Sequence, residues 1–198
     1  MNTTRLFTGN KEVRVEIIAL GALEFSSIAI GILALDEMVK VAPIKIIEAR
    51  TMCPGKYIIV FTGDVASVDY SFNKGLETGK ELVVDSLFLP MIHPEAMAAI
   101  GKIIPASEWS AIGIIETLTV VSGIEAADQA AKVGGVKIIE VRLAIGFGGK
   151  SYVKLMGSLD AVQAAMQAGT EAARSKKLLC MATLIPQPHS ETRPYFMQ

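Results

Sequence analysis

Residues 19–50 read ALGALEFSSIAIGILALDEMVKVAPIKIIEAR and residues 111–142 read AIGIIETLTVVSGIEAADQAAKVGGVKIIEVR; at an offset of 92, 14 of the 32 pairs are identical. The matches include Gly21 with Gly113, Glu24 with Glu116, Asp36 with Asp128, Lys40 with Lys132, and Lys45-Ile46-Ile47-Glu48 with Lys137-Ile138-Ile139-Glu140. Identity in that order and density is a duplication rather than a shared composition. The register then slips by two residues, pairing Gly55-Lys56 with Gly149-Lys150 and Gly63 with Gly157, and by two more where His93 meets His189; both slips read as loops. Two homologous domains follow, at residues 18–103 and 110–188. An extension covers 1–17, a tail covers 189–198, and a linker covers 104–109, where Pro105 and Ser107 suit such a segment.

Within each copy the apolar period switches between that of a strand and that of a helix. Residues 19–25 read as a strand, and a helix follows from a Ser26 or Ser27 cap to Lys40, with Ile28, Ile32, Leu35 and Val39 on one face. Strands are expected over 44–51 and 57–62, then a helix from an Asp64 cap to about Gly79, then a strand over 82–89. The second copy repeats the pattern with Thr119 and Ser158 as caps and strands near 111–118, 136–144, 151–156 and 178–185. The order β-α-β-β-α-β predicts two tandem ferredoxin-like, split βαβ domains of α+β class. Residues 11–17 alternate polar and apolar, which fits an added edge strand or a frayed tail.

Composition narrows the possible functions. The 198 residues are 51% hydrophobic and 20% charged, and domains this small bury only modest cores of their own. A mean hydropathy of +0.44 therefore points to extra apolar surface hidden between subunits. No apolar run reaches the 18 residues of a membrane span; the uncharged stretch 25–35 is bracketed by Glu24 and Asp36. Residues 1–17 carry Arg5, Lys11, Glu12, Arg14 and Glu16 with no apolar core of a signal peptide, so a cytosolic location is expected. A net charge of −1 leaves no basic excess for nucleic acid. Cys53 and Cys180, far apart among reduced thiols, are not expected to form a disulfide.

The openings Ala19-Leu20-Gly21-Ala22-Leu23-Glu24-Phe25 and Ala111-Ile112-Gly113-Ile114-Ile115-Glu116-Thr117, with the Asp36/Lys40 and Asp128/Lys132 helices, resemble the shell-protein family of bacterial microcompartments over about residues 18–190. Thr51-Met52-Cys53-Pro54-Gly55-Lys56, Val84-Asp85-Ser86-Leu87 followed by Ile92-His93-Pro94, and Ala144-Ile145-Gly146-Phe147-Gly148-Gly149-Lys150 resemble its trimeric tandem-domain members from propanediol-utilising compartments. The resemblance implies a homotrimer that forms a flat pseudo-hexameric tile with a central pore, and that is not an enzyme. It implies that the loops between second and third strands line the pore, here Met52, Pro54 and Gly55 in one copy and Ile145, Gly146, Phe147 and Gly148 in the other. Lys40 and Lys132, with His93 and His189, match residues that meet neighbouring tiles of other shell proteins; the arginine that often precedes the histidine by two residues is replaced by Met91 and Gln187.

Gly146, Gly148 and Gly149 let backbone approach an axis without side chains in the way. A Gly-Phe-Gly-Gly stretch is also an ordinary hairpin turn, and it lacks the helix opening of a phosphate cradle. The first copy carries Cys53 instead, so three chains would present three thiols. The resemblance implies that these hold a [4Fe–4S] cluster, leaving one iron for an outside ligand, for electron transfer across the shell or for an enclosed redox enzyme. Without the resemblance, Cys53 reads as a small hydrophobe, and Cys180, within Leu178-Leu179-Cys180-Met181-Ala182, as part of a buried strand. Glu24 and Glu116 are expected to be buried, hydrogen-bonded carboxylates, and Trp109 a packing residue. Two rival readings are a metal-free tile whose pore passes small metabolites and a tandem ferredoxin-like regulator that binds a small molecule.

Overall fold

A computed structural model describes residues 3–8, 11–16, 19–144, 146 and 148–197. The chain divides into two compact units, residues 1–51 with 55–92, and residues 52–54 with 93–198. The first contains β1 (Thr3–Thr8), β2 (Lys11–Glu16), β3 (Ala19–Phe25), α1 (Ile28–Val41), β4 (Lys45–Met52), β5 (Lys56–Gly63), α2 (Val65–Gly79) and β6 (Val83–Leu89). The second contains α3 (Pro94–Ala99), β7 (Ala111–Thr117), α4 (Val120–Val133), β8 (Val136–Arg142), β9 (Ser151–Gly157), α5 (Leu159–Ser175), β10 (Leu179–Ile185) and α6 (Arg193–Phe196).

The four-stranded sheets have equivalent orders, β4-β5-β3-β6 and β10-β7-β9-β8. In the first, β3 runs antiparallel to β5 and β6, with Ala22 opposite both Val60 and Leu87. In the second, β7 runs antiparallel to β9 and β10, with Ile115 opposite Val153 and Ala182. This is the split βαβ arrangement expected from the sequence. All four expected caps form: Ser27, Asp64, Thr119 and Ser158 each accept the backbone N–H three residues on, at 2.9 to 3.4 Å. In the first unit Leu23, Phe25, Met38, Ile59, Phe61 and Val68 close one core.

Some expectations need correcting. Residues 11–16 do form a strand, but β2 pairs with β1 in a separate two-stranded sheet, Leu6 opposite Val13, not with either larger sheet. The second two-residue slip is absorbed in part by a helix, α5 having 17 residues against 15 in α2. The division between units falls after Ile92, not after residue 103. The cause is hydrogen bonding to β8: Gly101 N–H donates to Val141 O at 2.9 Å, Ile104 N–H to Ile139 O at 2.7 Å, and Ile138 N–H to the Glu95 carboxylate at 3.3 Å. Residues 104–109 are likewise no free linker. Lys137 Nζ donates to Pro105 O, and Arg193 Nη2 donates to Ala106 O and Ser107 O at 2.9 and 3.1 Å. Trp109 donates its indole N–H to Pro188 O at 2.9 Å and meets Phe196 edge to face at 5.7 Å, so it packs as expected.

Candidate functional site

The β4–β5 connection is the three-residue turn Cys53, Pro54 and Gly55, all exposed, with the thiol in solvent. Gly55 takes φ +80, and a Cβ there would meet nothing within 4 Å, so the turn requires glycine for its conformation and not for space. Met52, expected on the pore rim, is buried. The β8–β9 connection is longer, residues 143–150, and begins with Leu143 and Ala144 buried. Gly146, Gly148 and Gly149 all have positive φ, +77, +61 and +84, a conformation that side chains disfavour. Ile145 and Phe147, the other expected rim residues, lie outside the described residues. Among the described residues no three His, Cys, Asp or Glu side chains converge to hold a metal ion. Of the two cysteines only Cys53 is exposed, so one chain offers one exposed thiol.

The paired residues expected at the tile edge lie on equivalent elements. Lys40, in the last turn of α1, donates to Asp36 Oδ2, and this carboxylate raises the Lys40 pKa above its ordinary value. Lys132, at the same place on α4, donates to Asp128 Oδ2 at 2.6 Å. His93 and His189 each cap a short helical turn, with Nδ1 accepting the backbone N–H of Glu95 and of Glu191, both at 3.3 Å. The structure joins two of these residues that spacing alone did not connect: His93 N–H donates to Asp128 Oδ1 at 2.8 Å. The signal available in the sequence was the Asp36/Asp128 pair in the duplication; its partner lies 35 residues away.

The carboxylates expected to behave alike diverge. Glu24 is fully buried and accepts from Lys56 Nζ at 2.8 Å, so the lysine of the Gly55-Lys56 motif neutralises a buried charge. Glu116 is half-buried, contrary to expectation. Cys180 is also only half-buried, because β10 is an edge strand with Met181 exposed beside it. No helix among the described residues is long and apolar enough to cross a membrane.

Two split βαβ sheets in one chain, each with a turn between its inner hairpin strands and followed along the chain by a histidine-capped turn, define a tandem-domain protein. The BMC domain matches residues 19–92 and 111–188, its first copy ending where the first compact unit ends. The chain belongs to this family of bacterial microcompartment shell proteins. It is 38% identical over 171 residues to the bacterial microcompartment shell protein PduT of Citrobacter freundii, covering 86% of this chain and 93% of that protein. Over 85 residues, 42% of this chain and 86% of the relative, it is 40% identical to the carboxysome shell protein CsoS1A of Hydrogenovibrio crunogenus. A crystal structure of a microcompartment protein from Desulfitobacterium hafniense superposes with a TM-score of 0.81 at 40% identity, covering 90% of this chain and 99% of that one.

Proposed function

We propose that this shell protein closes as a pseudo-hexameric homotrimer, packs beside other shell proteins in a cytoplasmic microcompartment, and carries a [4Fe–4S] cluster on its threefold axis. Family membership and the PduT likeness support the structural role and fit a propanediol-utilising compartment. The observation that carries the redox role is the asymmetry of the two loops: an exposed thiol at Cys53, and glycines without a thiol at residues 146, 148 and 149. A single chain supplies too few ligands for a cluster, but three chains around an axis supply three thiolates, leaving the fourth iron for an outside donor. Bound there, the cluster would supply one-electron transfer between the two faces of the shell, and an enclosed redox enzyme is the natural partner. Cys53 would be the ligand; Pro54 and Gly55 shape its turn. Lys40, Lys132, His93 and His189 would serve the tile edge.

Protein isolated without oxygen is expected to hold about 1.3 irons per chain, four for every three Cys53 thiolates, with matching sulfide. Cys53→Ala should lose both while remaining a trimer. An iron-free wild-type trimer would instead favour a metal-free tile whose pore passes small metabolites. Absence of any assembly would favour the regulator reading.

A further inference from the structure

The second compact unit contains a cavity of about 400 Å³, floored by the start of β8 and walled by α3 and residues 104–110. It exists because a strand stops short. Residues 100–104 run beside β8, with Ile103 bridged to Glu140 and Ile104 N–H donating to Ile139 O at 2.7 Å. Pro105 comes next in that register, opposite Ile138, and has no N–H with which to continue the ladder. Lys137 Nζ donates to Pro105 O, and Arg193 holds Ala106 O and Ser107 O. The chain is thereby drawn off the sheet edge before it covers residues 136–138, and the cavity occupies the place it leaves.

The edge left open has a defined set of hydrogen-bonding groups. Ile138 N–H points away from β9, because it donates to Glu95 Oε2 at 3.3 Å. Residues two apart on an antiparallel strand direct their backbone groups the same way, so Ile138 C=O and both backbone groups of Val136 share that direction. Val136 and Ile138 are buried, which sets these groups in a recess instead of on an open surface. Val136 thus offers the N–H and C=O pair that a residue of a neighbouring antiparallel strand satisfies. At Ile138 a carbonyl lies beside the Glu95 carboxylate, two acceptors with no donor between them but the strand's own N–H. The charged residues lining the cavity are Glu95, Glu108 and Lys137, and Lys137 is already bonded to Pro105 O, so the recess favours a cation. Ala98, Ile104 and Met156 supply apolar wall.

We infer that this cavity captures the free N-terminus of an extended peptide from a partner protein, laid antiparallel to β8 as the strand that residues 105–107 do not supply. The terminal residue lies opposite Ile138, with its ammonium between Ile138 O and the Glu95 carboxylate, and the third residue exchanges both backbone hydrogen bonds with Val136. Three extended residues span about 10 Å, and small apolar side chains fit the walls around them. Strand pairing supplies attachment that is tolerant of sequence, while the carboxylate selects a charged terminus. The site goes beyond the shell and redox roles proposed above and rests on neither.

The test is equilibrium dialysis of the full-length protein against three probes: the tetrapeptide amide Ala-Val-Ala-Val, its N-acetylated form, and butylamine. The free-amine peptide should bind, and acetylation should weaken it about tenfold or more, the effect of losing one charge-assisted hydrogen bond. Glu95→Gln keeps an acceptor for Ile138 N–H but removes the charge, and should weaken the free-amine peptide to a similar degree. Ala98→Trp fills the cavity from an exposed position on α3 and should abolish binding, with circular dichroism confirming that both variants fold. Failure of the free-amine peptide to bind at millimolar concentration would overturn the site. Binding that survives acetylation or Ala98→Trp unchanged would overturn the placement of the terminus, and butylamine binding as tightly as the peptide would overturn strand pairing in favour of a small-amine pocket.

Discussion

Asp128 Oδ1 accepts the backbone N–H of His93 at 2.8 Å while Oδ2 of the same carboxylate accepts Lys132 Nζ at 2.6 Å. The Asp128 side chain has no solvent exposure, so removing it strands the half-buried His93 N–H, while Lys132, whose side chain is 38% exposed, turns to water. Asp128→Ala should cost about 1–3 kcal/mol, the range for leaving a buried donor unsatisfied. Asp36→Ala, on the exposed copy, should change the unfolding of the isolated chain little. Urea unfolding of both variants checks the contrast.

Lys56 reaches the buried Glu24 carboxylate at 2.8 Å. Removing the lysine leaves a charge in an interior position, which costs far more than a surface ion pair is worth. Lys56→Met should destabilise by an amount at the lower end of about 3–5 kcal/mol, because Lys56 itself keeps part of its surface in water. Lys56→Met with Glu24→Gln should recover part of that loss. Equilibrium denaturation of the single and double variants measures the difference.

At Gly169 on α5 a Cβ would lie 2.8 Å from the backbone oxygen of Ala126 and 2.7 Å from Ile115 Cδ1. The isoleucine can shift, but the α4 carbonyl is fixed by its helix, so Gly169→Ala must push α5 away from α4. A loss of about 1–3 kcal/mol is expected, the usual penalty of overpacking. Gly134→Ala is a useful contrast: a Cβ there meets nothing within 4 Å, yet φ is +84, so its cost is conformational alone. Thermal unfolding, followed with a denaturant series, separates these variants from wild type.

Asp64 caps α2 by accepting from the Ser67 hydroxyl at 2.7 Å and the Ser67 N–H at 2.9 Å. The Ser67 hydroxyl, followed by that backbone N–H, holds the Asp64 pKa below its ordinary value of 3.8. A carboxylate depressed in the folded state stabilises the fold fully above its unfolded pKa and loses that contribution as pH falls through the lower folded value. The gap in unfolding midpoint between wild type and Asp64→Ala should therefore be constant from neutral pH down to about 4 and narrow only below it. A gap that narrows instead between neutral pH and 5 would contradict this assignment.

Much of this molecule is written locally. The duplication, the strand and helix periods, and the caps at Ser27, Asp64, Thr119 and Ser158 were legible because each rests on residues a few positions apart, where a side chain either reaches an N–H three residues on or does not. The loop residues around Cys53 and Gly146 were legible for the same reason: positive φ at Gly55, Gly146, Gly148 and Gly149 is a demand of the turn itself. Tertiary structure alone decided where the first unit ends, since the bonds of Gly101 and Ile104 to β8 join strands about 35 to 40 residues apart in the chain, and chain entropy says nothing of which distant partner wins. It also decided that near-identical residues meet different fates, Glu24 paired with Lys56 in the interior and Glu116 half in water, Asp128 enclosed and Asp36 open. Duplicated sequence specifies two like surfaces; whether each is covered depends on which segment of chain lies beside it, and burial is a property of that neighbour as much as of the residue.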